Sequence, residues 1–192
     1  MQDLKVAITG GIGSGKSEVL KIINSLGYNI VSLDDVYAQL LREKNFVLHI
    51  CNTFEIQPII DGDNYYLDKK SLSSKVFNDK ALLQKLNQIT HSAIFERAFS
   101  MHSGVTFYEV PLLFEGNYQN LFDKVIVVVR NKAERIKSAV ARDLATESEI
   151  LAKINSQVDY DSLDLTEYIV IENNSNKENL REQVIASLKG II

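Results

Sequence analysis

The chain has 192 residues, of which 45% are hydrophobic and 24% charged, and its formal net charge at pH 7 is −4. This composition argues against a disordered chain, and the acidic balance argues against a broad nucleic-acid-binding surface, which needs a basic excess. A single cysteine excludes an internal disulfide. Residues 1–5 show no pattern of a signal peptide, and the longest apolar run, residues 125–129, is too short to span a membrane. These features predict one cytoplasmic globular protein.

The first part of the chain alternates between strand and helix patterns. Residues 4–9 predict a short apolar strand, residues 16–26 recur at helical spacing, and residues 29–33 predict a second strand. Asp34 and Asp35 then begin the next helix, where carboxylates favour the helix N-terminus. Strands and helices in this order predict a parallel sheet covered by helices.

The middle of the chain has a different pattern, because residues 45–103 contain no strong apolar strand. Helical spacing at residues 45–54 and 80–101, separated by a turn at residues 61–64, predicts a mostly helical insertion.

The last part of the chain returns to alternating elements. Strands are predicted at residues 105–110, 124–129 and 168–171, and helices at residues 132–144, 148–157 and 177–189. The second of these strands is β-branched throughout residues 125–129, as expected of a strand that is buried on both faces. Thr146 and Glu149 have the spacing of a capping box before the second helix.

A phosphate-loop motif lies between the first strand and the first helix. Residues 10–17 read Gly-Gly-Ile-Gly-Ser-Gly-Lys-Ser and fit the pattern G-x-x-x-x-G-K-[ST]. Glycines allow backbone N–H groups to turn toward phosphate oxygens, and the N-terminus of the helix adds the positive end of its dipole. Lys16 supplies a positive charge for the β- and γ-phosphates, and Ser17 supplies a hydroxyl for Mg²⁺. The predicted nucleotide-binding residues are Gly11, Ile12, Gly13, Ser14, Gly15, Lys16, Ser17 and Glu18.

A phosphate loop of this kind occurs in three classes of protein that this sequence could represent: a small-molecule kinase, a GTPase and a subunit of a larger ATP-driven machine. Residues 131–134 read Asn-Lys-Ala-Glu where a GTPase would have N-K-x-D, and the glutamate would misplace the contact to guanine. No predicted strand ends in D-x-x-G, and none ends in four apolar residues followed by an acidic pair. The pattern therefore favours a kinase.

A kinase needs an acidic group near the acceptor hydroxyl, cations on the phosphates and an element that excludes water. Asp34 ends the second strand, at the edge where parallel sheets bind ligands, although Asp34 and Asp35 are equally explained as helix caps. Glu109 ends the third strand and is a candidate to orient Mg²⁺ through water, or an ordinary strand-end acid. Arg135 and Arg142 share one helix face and are candidate phosphate ligands, or ordinary solvated arginines.

Further strings complete the pattern along the chain. They are Leu-Asp-Lys-Lys-Ser-Leu at residues 67–72, Val-Phe at 76–77, Leu-Asn at 86–87, Ile-Thr-His at 89–91, Val-Pro-Leu-Leu-Phe-Glu at 110–115, Arg-Asp at 142–143, Gln157 and Asn-Asn at 173–174. Together with the phosphate loop and Asp34, these strings resemble the dephospho-coenzyme A kinase family over essentially the whole chain. The string at residues 110–115 is the most diagnostic after the phosphate loop.

The resemblance implies an α/β P-loop kinase core, with a five-stranded parallel sheet and helices on both faces, over residues 1–44, 104–139 and 165–192. It implies a helical acceptor-binding insertion at residues 45–103 and a helical lid at residues 140–164. The implied reaction is ATP-dependent phosphorylation of the ribose 3′-hydroxyl of dephospho-coenzyme A with Mg²⁺, the last step of coenzyme A biosynthesis. The implied partners are these small molecules, with neither nucleic acid nor membrane.

The resemblance also implies roles for individual residues. Lys16, Asp34 and Arg142 would be catalytic: Asp34 would orient or accept the hydroxyl proton, and Arg142 would come down on the phosphates. The implied acceptor-binding residues are Asp34, His91, Leu113 and Glu115, and the implied metal-binding residues are Ser17 and Glu109.

Three serines depart from the family pattern. Ser32 stands at the first carboxylate of an Asp-Ala-Asp string, Ser92 replaces the proline after the histidine, and Ser138 replaces an arginine one turn before Arg142, with Arg135 nearby. Two alternatives stay open: a nucleoside or nucleotide monophosphate kinase of the same fold, and a catalytically degenerate nucleotide sensor. The string at residues 110–115 argues against the first, and the missing carboxylate and arginine motivate the second.

Overall fold

A computed structural model describes residues 3–101 and 104–191, which divide into two compact units. The sheet unit combines the described residues of 1–31 and 103–192, and the helical unit comprises those of 32–102. The strands are β1 Leu4–Thr9, β2 Asn29–Ser32, β3 Ile59–Asp61, β4 Asn64–Tyr66, β5 Val105–Glu109, β6 Lys124–Val129 and β7 Ile169–Glu172. The helices are α1 Lys16–Ser25, α2 Leu33–Leu40, α3 Lys44–Phe54, α4 Lys69–Val76, α5 Lys80–Ser100, α6 Lys132–Asp143, α7 Glu147–Asn155 and α8 Lys177–Lys189.

Five parallel strands form the main sheet, in the order β2-β5-β1-β6-β7. The central strand β1 pairs in parallel with β5 and β6, and Val6, Ala7 and Ile8 within it are fully buried. Full burial explains the apolar sequence of β1, because strands inside a parallel sheet are covered on both faces. The five-stranded parallel sheet with covering helices, which the sequence predicts, is confirmed. Its order brings the carboxyl ends of β1, β5 and β6 to one edge, and the phosphate loop and Glu109 lie there.

Helices α1 and α8 bury their apolar faces against the sheet. Val19 and Ile23 of α1, together with Val184 of α8, pack on Ile8 and Ile126 in one continuous cluster. Helices α6 and α7 form a separate small cluster around Ala139, Ile150 and Ile154. The predicted bounds of β1, β6 and α8 match the structure residue for residue, because each has a strong local apolar pattern.

The helical unit contains three short elements that the sequence did not reveal. Helices α3 and α5 confirm the two predicted helical segments, but a short antiparallel hairpin of β3 and β4 surrounds the predicted turn, and α4 follows it. The strands have three residues each and are largely exposed, so they leave no alternating apolar pattern. Helix α4 is short, and its N-cap residue is Asp68, whose carboxylate accepts hydrogen bonds from the backbone N–H groups of Lys70 and Ser71.

Two smaller features complete the description. Leu33 is the first residue of α2 rather than the last residue of β2, because the Ser32 hydroxyl caps the helix by accepting the N–H of Asp35. Among the helices of residues 3–101 and 104–191, none combines the length and the apolar character that crossing a membrane requires.

The capping box of α7 leads to a first testable prediction. The Thr146 hydroxyl accepts the Glu149 N–H at 3.3 Å, and the Glu149 carboxylate accepts the Thr146 N–H at 2.8 Å. Thr146→Ala should destabilise α7 by about 1 kcal/mol, because the hydroxyl cap is lost. Amide hydrogen exchange should therefore accelerate in α7 while β6 stays protected. Ser156→Ala, at the other end of the same helix, is the control; equal exchange in the two variants would contradict the role of the cap.

Candidate nucleotide-binding site

The phosphate loop connects the central strand β1 to α1. The Ser14 N–H donates to the Gly11 carbonyl at 3.2 Å, and the N–H groups of Glu18 and Val19 both donate to the Gly15 carbonyl, at 3.0 and 3.2 Å. Gly15 is the N-cap residue of α1, and Lys16 is its first helical residue. The loop therefore leads directly into a helix N-terminus, where backbone N–H groups and the helix dipole favour an anion.

Close packing on both sides explains two of the loop glycines. Gly13 and Gly15 have φ angles of 76° and 97°, in the left-handed region that favours glycine. A Cβ at Gly13 would collide with the backbone carbonyl of Arg135, and one at Gly15 would collide with the side-chain amide of Asn173. Larger residues at these two positions would push the loop away from its supports.

Three side chains hold the loop backbone. Gln157 accepts the Ile12 N–H at its Oε1 (2.8 Å), Arg135 donates from Nε to the Ile12 carbonyl (3.0 Å), and Asn173 donates from Nδ2 to the Ser14 carbonyl (3.0 Å). These bonds fix the peptide orientations at the tip of the loop before any ligand is bound.

Arg135 is a buried side chain that supports the loop through its hydrogen bond to the Ile12 carbonyl. Its side chain is only 4% exposed, and its Nη1 lies 3.7 Å from a carboxylate oxygen of Asp161. The sequence places Arg135 and Arg142 on one helix face and makes both of them candidate phosphate ligands. In the structure, Arg135 is buried against the loop backbone, whereas the side chain of Arg142 is 63% exposed. The two arginines therefore differ in role: Arg135 is committed to the loop backbone, and Arg142 is the accessible one.

A cavity of about 300 Å³ opens beside the loop. The predicted site residues that line it are Gly13, Gly15, Lys16, Ser17, Glu18, Glu109 and Arg142. Arg130, Ser138 and Asn173 line the same cavity. Arg130, which follows β6 directly, is not among the predicted site residues, because no motif or periodicity marks that position.

The positive charges at this cavity are held by neighbouring oxygens. Lys16 Nζ donates to the carbonyls of Gly10 at 2.6 Å and Gly11 at 3.3 Å. Arg142 pairs with Asp143 through Nε at 2.6 Å and Nη2 at 3.2 Å. This hydrogen-bonded pairing raises the pKa of Arg142 and lowers the pKa of Asp143, so both stay charged near neutral pH.

Two oxygen donors at the cavity fit Mg²⁺. The hydroxyl of Ser17 and the carboxylate of Glu109 both line it, and Mg²⁺ prefers oxygen ligands. Nowhere in residues 3–101 and 104–191 do three or more His, Cys, Asp or Glu side chains form a metal-binding cluster. The donor set therefore matches an ion that takes one or two protein oxygens and completes its shell with water and phosphate.

The predicted acceptor-binding residues lie in both units. In the sheet unit, Leu113 is fully buried and its carbonyl accepts the Tyr118 N–H at 3.0 Å, while Glu115 accepts the Val158 N–H at 3.0 Å through Oε1. Glu115 Oε2 is buried without a hydrogen-bond partner among the described residues. In the helical unit, Asp34 is exposed in the first turn of α2, and His91 is half-buried on α5, where burial lowers its pKa and favours the neutral imidazole.

The hydrogen bond from Arg135 to the Ile12 carbonyl leads to a second prediction. Arg135→Met keeps much of the side-chain volume but leaves the Ile12 carbonyl without its donor, which should cost about 1–3 kcal/mol. The looser loop should bind a non-hydrolysable ATP analogue at least about tenfold more weakly, corresponding to about 1.4 kcal/mol. Isothermal titration and thermal melting measure the two effects, with Arg181→Met on the exposed face of α8 as the control. Normal affinity in a destabilised variant would limit Arg135 to a purely structural role.

The comparisons with known proteins agree with this geometry. The family model described as "CoaE: Dephospho-CoA kinase" matches residues 4–179. A dephospho-CoA kinase of Helicobacter pylori is 32% identical over 195 residues, which cover 97% of this chain and 97% of that protein. A crystal structure from Thermus thermophilus is similar with a TM-score of 0.80 and 26% identity, covering 100% of both chains. A structure of the dephospho-CoA kinase from Campylobacter jejuni has a TM-score of 0.66 and 28% identity, covering 97% of this chain and 96% of that one. Because the family model spans nearly the whole sequence and the phosphate loop lies at the expected edge of the sheet, the chain belongs to the dephospho-CoA kinase family.

Proposed function

We propose that this chain transfers the γ-phosphoryl group of ATP to the ribose 3′-hydroxyl of dephospho-coenzyme A, the last step of coenzyme A biosynthesis. The observation that carries the proposal is the cavity beside the phosphate loop. Lys16, Ser17, Glu109 and Arg142 all line it, so a cation, two oxygen donors for a metal and an accessible guanidinium surround one space. Phosphoryl transfer depends mainly on positioning and charge stabilisation, and these residue types supply both.

Binding of ATP would use the loop from Gly11 to Glu18. Its backbone N–H groups would meet the phosphate oxygens, and Lys16 would exchange its contacts with the Gly10 and Gly11 carbonyls for the β- and γ-phosphates. Ser17 and Glu109 would hold Mg²⁺, which neutralises charge on the phosphate oxygens when it is bound. The loop needs little rearrangement for this, because Gln157 and Arg135 already hold the two peptide groups that flank Ile12.

Arg142 would stabilise the transferring phosphoryl group. It stands near the C-terminal end of α6, in the proposed lid of residues 140–164, and its own side chain is exposed enough for water to weaken the pair with Asp143. A phosphate arriving in the cavity would therefore compete with Asp143 for the guanidinium. The bidentate geometry of arginine suits the oxygens of a phosphoryl group.

The proposed acceptor-binding residues with accessible surface are Asp34 and His91 in the helical unit and Glu115 in the sheet unit. The exposed carboxylate of Asp34 would orient the ribose hydroxyl and take up its proton, and orientation matters most if the transition state is loose. The proposed acceptor-binding insertion of residues 45–103 falls in the helical unit as far as it is described. We also place the protein in the cytoplasm, since its single cysteine, Cys51, is a free thiol buried in α3.

An acceptor panel tests the proposal directly. ATP with Mg²⁺ would be incubated separately with dephospho-coenzyme A, adenosine, AMP and UMP, and the products would be resolved by mass spectrometry and ³¹P NMR. We expect ADP and a 3′-phosphorylated product only with dephospho-coenzyme A. Turnover restricted to a nucleoside monophosphate would favour the nucleotide kinase alternative, and ATP binding without turnover of any acceptor would favour a nucleotide sensor.

The role of Asp34 gives a further prediction. Asp34→Asn should lower kcat by about 10²–10⁴-fold, the usual contribution of a positioned acid or base, while the affinity for an ATP analogue stays nearly unchanged. The control is Asp35→Asn, which changes the neighbouring carboxylate in the same turn of α2. If the two variants lose activity equally, or neither does, Asp34 is only part of the helix cap.

A further inference from the structure

Arg130 is an unassigned cation at the nucleotide cavity. It occupies the connection between β6 and α6, and its side chain, 24% exposed, lines the same cavity as Lys16 and Arg142. Because β6 is next to the central strand β1, this connection lies at the same edge of the sheet as the phosphate loop. Its place in the sheet therefore directs Arg130 toward the phosphate-binding side of the molecule.

The contacts of Arg130 run along one face of α6. Its Nη1 donates to the Ser138 hydroxyl at 2.8 Å, and its Nη2 lies 3.6 Å from a carboxylate oxygen of Glu134. Glu134, Ser138 and Arg142 follow one another at intervals of four residues, so they share one helix face. The Arg130 guanidinium thus lies beside Ser138, one helical turn before Arg142.

These contacts leave much of the guanidinium unused. A guanidinium has five N–H donors, and the Ser138 hydroxyl accepts from one of them. The Glu134 carboxylate is half exposed and stands beyond good hydrogen-bond distance, so this ion pair is weak. Arg130 Nε is buried and has no hydrogen-bond partner among the described residues. A buried donor of this kind is unfavourable, and an anion in the cavity would give the guanidinium better partners.

We propose that Arg130 binds the terminal phosphates of ATP, from the position beside Ser138 where the family pattern has an arginine on α6. The proposal rests on the proposed function of the cavity as the ATP site. Ser138 is a positioning residue: its hydroxyl holds the guanidinium, and its small side chain leaves room for it. Arg130, Lys16 and Arg142 would then bring three positive charges to the triphosphate from the β6–α6 connection, the phosphate loop and α6.

The first test compares substitutions at Arg130. Arg130→Ala should lower kcat about 10²-fold or more, as the loss of one preorganised charge-stabilising donor does, while the KM for dephospho-coenzyme A changes little. Arg130→Lys should restore part of the rate, because it keeps the charge but not the planar fork. Arg181→Ala is the matched control, since Arg181 on α8 also donates to a serine hydroxyl, that of Ser25 at 3.3 Å, outside this cavity.

A relocation experiment separates phosphate binding from a structural role. In the double variant Arg130→Ala with Ser138→Arg, the guanidinium returns to the same face of α6 from another backbone position. We expect at least a tenfold recovery of kcat over Arg130→Ala. A kcat within about threefold of the unsubstituted protein in Arg130→Ala, or a loss of activity that neither Arg130→Lys nor the relocated arginine relieves, would overturn the proposal. If Arg130→Ala does not fold, Arg130→Gln replaces it in both comparisons.

Measurements of nucleotide affinity test the role of Arg130 independently of the phosphoryl transfer to dephospho-coenzyme A. Titration with a non-hydrolysable ATP analogue and with AMP needs no acceptor. Arg130→Ala should weaken binding of the ATP analogue about tenfold or more and leave AMP binding unchanged, because AMP lacks the terminal phosphates. This selective loss would support Arg130 even if the protein phosphorylated another acceptor, whereas equal affinities for the analogue with and without Arg130 would overturn its role.

Discussion

The phosphate loop must present several backbone N–H groups to one anion, and neither a helix nor a sheet ladder fixes the peptides at its tip. The structure meets this constraint at Ile12, whose N–H donates to Gln157 and whose carbonyl accepts from Arg135, at 2.8 and 3.0 Å. Asn173 holds the Ser14 carbonyl in the same way. All three side chains lie more than 120 residues further along the chain. The loop therefore acquires its shape only when α6, the segment after α7 and the end of β7 are assembled around it.

The positive charge around the cavity is local and is paired with nearby carboxylates. A chain with a net charge of −4 gathers Lys16, Arg130 and Arg142 around one space, while Glu134 and Asp143 pair with the two arginines there. Partly exposed ion pairs contribute little in water, so a phosphate bound in the cavity would compete with the carboxylates for the two arginines. The acidic composition thus excludes a broad basic surface, but it is compatible with a local pocket for phosphate-rich substrates.

The parts of the fold that could be predicted from sequence are those with a strong local signal. The phosphate loop, β6 and α8 carry a motif or an apolar pattern of their own, whereas the hairpin β3–β4 is too short and exposed to leave one. At the site, helical spacing places Arg135 and Arg142 on one face but carries no information on burial, which changes along α6 from one to the other. Arg130 has no periodic signal at all, because its position depends on the turn between β6 and α6 and on the contact with Ser138.

The supports of the loop also limit how the proposed lid of residues 140–164 moves. Within that segment, Gln157 binds the loop tip and the Val158 N–H binds Glu115, so the end after α7 is tied to the core. The side chain of Ile12 packs against the small cluster that joins α6 and α7, which ties the loop to the helices as well. By contrast, Leu144 between the two helices is 93% exposed and has a left-handed φ of 51°. If the proposed lid closes while the phosphate loop stays intact, the movement would be small at Gln157, which binds the loop tip, and larger at the exposed junction next to Arg142.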